Sequence, residues 1–188
     1  MKQNKLVSVI IPCYNHGAYV HETLASVFAQ TYGNIEVVLV DDGSTDPATV
    51  AKIKTLQHER LRIYRIKNQG VSIARNYAIA ASKGEFILPL DCDDKIAPTY
   101  VEKAMAVTAT LGELAVVYSE AAVFGEHNMK WKLPPFSKER ILRENMVFCS
   151  ALFSKKLFQK IMENRPTKNN KEFHSFLWDL ILDSLLEE

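Results

Sequence analysis

The chain has 188 residues, 47% hydrophobic and 24% charged, and its 23 basic and 22 acidic side chains leave a net charge of +1. That length suits one domain with a core of its own, and the balanced charge argues against a nucleic-acid binder, which carries a basic excess. No apolar run approaches the ~18 residues of a membrane span, and the opening "MKQNKLVSVIIPCYN" lacks a small-residue cleavage site, so it reads as a first strand.

Two periods alternate through the first half. Residues 6–12 and 35–41 are nearly continuous β-branched runs, the pattern of strands covered on both faces. Residues 61–66 and 85–90 predict two more strands. Between them the spacing predicts helices. Over 18–31, Val20, Leu24, Val27 and Phe28 form one stripe; a second helix opens at Asp46 as N-cap with Pro47 in its first turn. Over 71–82, Val71, Ala74, Ala78 and Ala81 align, and Gly84 stands as the terminator. Strand–helix–strand repetition implies right-handed crossovers and a mostly parallel sheet.

Past residue 97 the pattern loosens. A helix opens at Pro98 with Val101, Met105, Thr108 and Leu111 on its stripe, and 114–120 predicts a strand. A Pro-Pro turn and a short helix follow within 130–145, then a strand over 146–153 and a helix over 154–162. A polar loop (163–172) leads to an amphipathic helix over 173–186, with Phe173, Phe176, Leu177, Leu180, Ile181 and Ser184 on one side. With no repeat or low-complexity segment, the expectation is a single α/β domain. Cys13, Cys92 and Cys149 form no CxxC pair and carry no metal or disulfide signature; they read as reduced, mostly buried thiols.

In an open parallel sheet, ligands bind beyond the carboxyl ends of the strands. Strand one ends in Pro12-Cys13-Tyr14-Asn15, strand two in Asp41-Asp42-Gly43-Ser44 and strand four in Asp91-Cys92-Asp93-Asp94. After strand three, the glycine loop "NQGVSIARN" opens a helix carrying Arg75. Two like charges about 4 Å apart cost roughly 4 kcal/mol at an effective dielectric near 20, so the acidic trio calls for a cation. The chemistry suggested is a nucleoside diphosphate with a divalent metal. Tyr14 can stack on a base, Asp42 can accept from a ring N–H, and carboxylates suit Mg²⁺ or Mn²⁺. Arg75 can add a charge-assisted contact. Asp-Asp-Gly-Ser is a common turn and one DxD is weak evidence alone; joint placement at successive strand ends carries the reading. The histidines at 16, 21, 58, 127 and 174 show no metal-ligand spacing.

The stretches "VSVIIPCYNHGAYVHETLASVFAQTY", "EVVLVDDGSTD", "NQGVSIARNYAIAASKGEFILPLDCDD" and "APTYVEKA" resemble the family 2 glycosyltransferases of GT-A fold. The likeness runs from Val7 to Tyr118 and more loosely to residue 156. It implies a Rossmann-like three-layer domain over 1–188, with a nucleotide-sugar half (about 1–119) and an incomplete acceptor-side half (about 120–188). It further implies an inverting, metal-dependent transferase that moves a sugar from a nucleotide-sugar, typically a UDP-sugar, to a glycan or lipid-linked acceptor. Carried over by position, Pro12, Tyr14 and Asn15 frame the nucleoside and Asp42 holds the base. Arg75 lies near the base or phosphates, Asp91 binds ribose or sugar hydroxyls, Asp93 takes the metal and Asp94 holds the loop. Such enzymes build bacterial surface polysaccharide or a related glycan; with no transmembrane run in the sequence, the expected location is the cytoplasm, including the inner membrane face where lipid-linked acceptors reside.

One family feature is missing. Inverting transfer needs a general base for the acceptor hydroxyl, supplied in this family by a Glu-Asp pair before a Trp, after a Gly-rich stretch. Here Phe176 and Leu177 precede Trp178. Asp179 and Glu172 are weak substitutes, and the surface bias of such residues favours solvated charges. Donor binding is therefore better supported than turnover, and the segment after about 157 reads as truncated or divergent. Two other readings follow: a catalytically impaired nucleotide-sugar-binding module, and an aspartyl-phosphate phosphatase with Asp91 as nucleophile and Asp93 as acid/base. The second is disfavoured because its motif belongs on a first strand, here the fourth. The apolar C-terminal helix is open as a core element or a surface for homo-oligomer pairing.

Overall fold

The apolar runs near the start form β1 (Val7–Cys13) and β2 (Ile35–Asp41), parallel partners in register from Val7–Ile35 to Cys13–Asp41. The computed structural model describes residues 4–125, 128–141, 143 and 146–164. Within them, β3 (Leu61–Arg65) and β4 (Phe86–Pro89) add parallel strands on either side. A short β7 (Phe153–Ser154) closes the sheet antiparallel to β4, giving the order β3-β2-β1-β4-β7.

Between the parallel strands run α1 (Val20–Phe28), α2 (Pro47–Thr55) and α3 (Val71–Ala81); α4 (Tyr100–Leu111) follows β4. A two-stranded ribbon pairs β5 (Ala121–Val123) with β6 (Met129–Trp131), and α5 (Lys138–Ile141) and α6 (Lys155–Asn164) complete the described elements.

The period-2 alternation of β1 sorts the core into two faces. Val7, Val9, Ile11 and Cys13 pack with Leu24 and Val27 of α1, Ile53 of α2 and Val101 and Met105 of α4. Ile10, Val38 and Ile87 face Ala74, Ala78 and Ile79 of α3, with Phe153, Leu157 and Ile161 beyond. Helices on both faces make three layers. Ile10, Ile11, Leu39, Ile87 and Leu88 are fully buried, each contributing roughly 1.5–3 kcal/mol.

Local chemistry explains the boundaries. Asp46 caps α2 as expected: its carboxylate accepts from the Ala48 and Thr49 N–H groups at 3.4 and 2.8 Å, and Pro47 occupies the first turn. Gly84 is not a left-handed terminator, because α3 ends at Ala81. It instead lets the chain pass Ser8: an added Cβ would sit 2.4 Å from the Ser8 hydroxyl and 2.7 Å from its main-chain nitrogen. At the same end, the Glu36 carboxylate receives Ser8 Oγ at 2.6 Å and Arg62 Nη2 at 2.6 Å.

Three expectations need correction. Residues 114–120 do not form a strand; Val117 alone bridges Leu152. The expected strand over 146–153 shrinks to β7; Met146 and Val147 are buried in the core but lie outside the strands among the described residues. Apolar content reported burial correctly at these residues but not pairing. Leu111, placed on the buried stripe of α4, is 67% exposed at the last residue of that helix. The amphipathic segment 173–186, with Trp178 and Asp179, and Glu172 lie outside the described residues.

Candidate functional site

Four loops lie at the carboxyl ends of β1 to β4, and hydrogen bonds between side chains and main-chain groups tie the first three together. Asn15 adopts φ 58°, a left-handed geometry that Asn tolerates better than most residues. Its side-chain oxygen accepts from the Thr45 and Asp46 N–H groups at 2.8 and 2.9 Å, and its own N–H donates to Ser44 Oγ at 3.0 Å. The loop after β1 is thereby fixed to the loop after β2. Gly43 (φ 70°) lies against the Asn68 main chain, where an added Cβ would come within 2.7 Å.

The two adjacent aspartates have different partners. Asp41 is buried and paired with Arg65 at 2.6 Å, and it accepts from the Ser44 N–H at 2.8 Å. Asp42, also buried, accepts from the Gln69 and Gly70 N–H groups at 3.0 and 2.9 Å. Asp42, expected to hold a base, thus also anchors the glycine loop that starts α3. A carboxylate has about four lone-pair sites, so two bonds leave capacity for a ligand. Pro12 lies inside β1 opposite Val40, and Tyr14 stands 44% exposed at the rim.

The acidic trio lies on a turn closed by the Asp94 N–H to the Asp91 carbonyl at 3.0 Å. Arg75 is not a surface charge. It is buried in α3, with its Nη2 ion-paired to Asp91 Oδ1, and its Nε has no hydrogen-bond partner among the described residues. Asp91 Oδ2 accepts from the Cys149 thiol at 3.2 Å. Asp93 lies apart, half-exposed, with Oδ2 3.2 Å from His16 Nδ1.

One arginine beside three carboxylates leaves a charge imbalance, and Asp94 registers it. Partial burial, with the Asp91 and Asp93 charges, pushes its carboxyl above the usual aspartate range. Burial, with the charge of Asp91, pushes the Cys149 thiol up, so it stays protonated and donates. Ligand atoms of Asp91, Asp94 and Cys149 all lie within 4.8 Å of one another. Two hard carboxylates at that separation fit Mg²⁺ or Mn²⁺. The family resemblance assigns the metal to Asp93; the turn groups Asp94 with Asp91, and Asp93 faces His16. The contact of Cys149 with Asp91 spans 58 residues, and only the fold brings the two together.

A family model for Glycosyl transferase family 2 matches residues 8–173. The chain belongs to glycosyl transferase family 2. Among curated relatives, the glycosyltransferase GlyG of Streptococcus pneumoniae is 39% identical over 101 residues, 53% of this chain and 34% of that protein. An uncharacterized glycosyltransferase of Rickettsia felis is 32% identical over 192 residues, 94% of this chain and 31% of that protein. The chain thus spans about a third of these family 2 relatives. Residues 1–349 of Staphylococcus aureus TarS superpose with a TM-score of 0.68 at 25% identity, covering 95% of this chain and 54% of that one. The same TarS fragment solved with UDP gives the same score, identity and coverage. The α/β layers and mostly parallel sheet match these neighbours. No helix among the described residues is long and apolar enough to cross a membrane.

Proposed function

We propose that the chain binds a nucleotide-sugar, typically a UDP-sugar, at the rim of β1, β2 and β4 and serves sugar transfer to a glycan or lipid-linked acceptor with inversion. The observation that carries this reading is the buried Arg75 ion-paired to Asp91 beside Asp94 at the carboxyl end of β4, in a chain whose family match and likeness to UDP-bound TarS span most of its length. Tyr14 presents a ring face for the base, Asp42 accepts from it, and Pro12 and Asn15 shape the floor on which the nucleoside rests. Arg75, ion-paired to Asp91, orients that carboxylate toward ribose or sugar hydroxyls. Asp91 and Asp94 would hold the divalent cation, with Asp93, the residue the family resemblance assigns to the metal, on the same turn. When bound, that ion supplies Lewis-acid stabilisation of the departing diphosphate.

A second reading, binding without turnover, rests on Phe176 and Leu177 standing where the family places its Glu-Asp base. Titration calorimetry with UDP, with and without Mn²⁺, tests the donor site: binding that Mn²⁺ strengthens supports it, and no heat in either condition refutes it. A UDP-release assay with mixed acceptors then separates the readings. UDP binding without any release points to the binding module.

A further inference from the structure

Cys13 ends β1 and Cys92 occupies the middle of the acidic turn after β4. Their sulfurs lie 2.9 Å apart, both side chains are buried, and both thiols are free. β1 and β4 pair parallel up to Ile10–Pro89, and the turn that follows β4 brings Cys92 against Cys13 at the end of β1. Both belong to one core face. With the sulfurs already in contact, closure to the ~2.05 Å of a disulfide needs only about 1 Å of further approach. The flanking residues are the rim itself: Tyr14 and Asn15 follow Cys13, while Asp91 and Asp93 bracket Cys92. The backbone beside Cys92 is already fixed, since its carbonyl accepts from Thr23 Oγ1 at 2.8 Å.

We propose that Cys13 and Cys92 are a reversible oxidation site, closing to a disulfide that staples the β1 and β4 ends beneath the acidic rim. With a hydroperoxide as oxidant, one thiol takes an oxygen to become a sulfenic acid and the peroxide departs as water or an alcohol. The partner sulfur then displaces the hydroxyl, which leaves with the thiol proton as water, so two electrons pass from sulfur to peroxide. A resolving thiol in contact converts the sulfenic acid before it climbs to irreversible sulfinic or sulfonic states. The pair thus guards the floor of the site against permanent damage. The strands are already opposed, so the bond forms without redrawing the rim. Because it joins residues 79 positions apart, it restrains a long loop of the unfolded chain.

The test treats the full chain with hydrogen peroxide and maps it by mass spectrometry, with thiol counts in denaturant before and after dithiothreitol. Expected are the loss of two hydrogens, one remaining free thiol, a Cys13–Cys92 cross-linked peptide, full reversal by reductant, and a melting temperature raised by roughly 5–10 °C. Cys149→Ser should form the same cross-link, and Cys13→Ser and Cys92→Ser should not. Three intact thiols after peroxide, a cross-link through Cys149, sulfinic acid at Cys13 or Cys92, or an oxidised form that melts no higher would each overturn the proposal. Mapping the native chain decides the matter even if a serine variant fails to fold. None of these readouts depends on UDP binding or turnover.

Discussion

Arg75 on α3 and Asp91 after β4 form an ion pair that is closed on the arginine side and open to solvent on the aspartate side, with 10% and 37% of their side chains exposed. The guanidinium is therefore a fixed positive wall behind a reachable carboxylate. Removing it leaves Asp91 and Asp94 repelling each other without the cation that is ion-paired to Asp91. Arg75→Ala should weaken UDP binding on the order of tenfold or more and lower the melting temperature of the free protein. Arg75→Lys should recover little, because an ammonium lacks the planar fork. Calorimetry and thermal melts check both, and an alanine variant with unchanged affinity would remove Arg75 from the site.

Asp94 gives a prediction whose sign is unusual for an aspartate. Its folded-state carboxyl titrates above the ordinary value of 3.8, so stability falls as the pH rises from that ordinary value through the raised one and the full penalty is present at neutral pH. Asp94→Asn should therefore raise the melting temperature of the metal-free protein at neutral pH while reducing its stabilisation by Mn²⁺. Below the ordinary carboxylate range the two proteins should melt alike. Running Asp93→Ala beside it assigns the ion: if Asp93 alone carries the Mn²⁺ response, the metal belongs on the outer carboxylate facing His16.

Asp42→Ala would remove the acceptor of the Gln69 and Gly70 N–H groups, which lie on exposed residues and can turn to water, at a net cost of about 0.5–1.5 kcal/mol per hydrogen bond. The expected result is a lower melting temperature and faster hydrogen exchange in the loop before α3, together with weaker uridine binding with or without metal. Unchanged exchange at Gln69 and Gly70 would contradict the anchoring role.

Glu36 sits at the opposite end of the sheet and tests stability alone. Burial by itself would push its carboxyl up, but hydrogen bonds from Ser8 and the Lys83 N–H, with Arg62 beside it, hold it below its ordinary 4.5. A lowered carboxylate contributes stability above its unfolded-state value and loses it as the pH falls through the folded one. The native protein should thus lose stability in acid below about pH 4.5. Glu36→Ala should cost roughly 2–3 kcal/mol at neutral pH and show a flatter acid dependence, read by urea melts across pH.

The first half of the fold was legible because each signal there is local. β-branched runs, the Asp46-Pro47 cap and alternating periods all act within a few residues, and parallel order follows from them. The stretch from 114 to 154 was not. Val117, Met146 and Val147 are apolar because the core covers them, and burial alone does not say which neighbour, if any, offers a hydrogen-bonding edge. The same division runs through the site. Strand-end placement brought Tyr14, Asp42, Arg75 and Asp91 to one rim. The contacts of Cys149 with Asp91 and of Cys13 with Cys92 span 58 and 79 positions, and no spacing rule reaches that far.

Asn15 and Asp42 lash three neighbouring loops to one another through the main chain, before any guest arrives. Such a cradle would need little rearrangement to admit the proposed nucleotide, so capture should be fast and should carry a small heat-capacity signature. Variation in what is captured then falls to the few side chains left facing outward, Tyr14 foremost, while the lashings stay as they are.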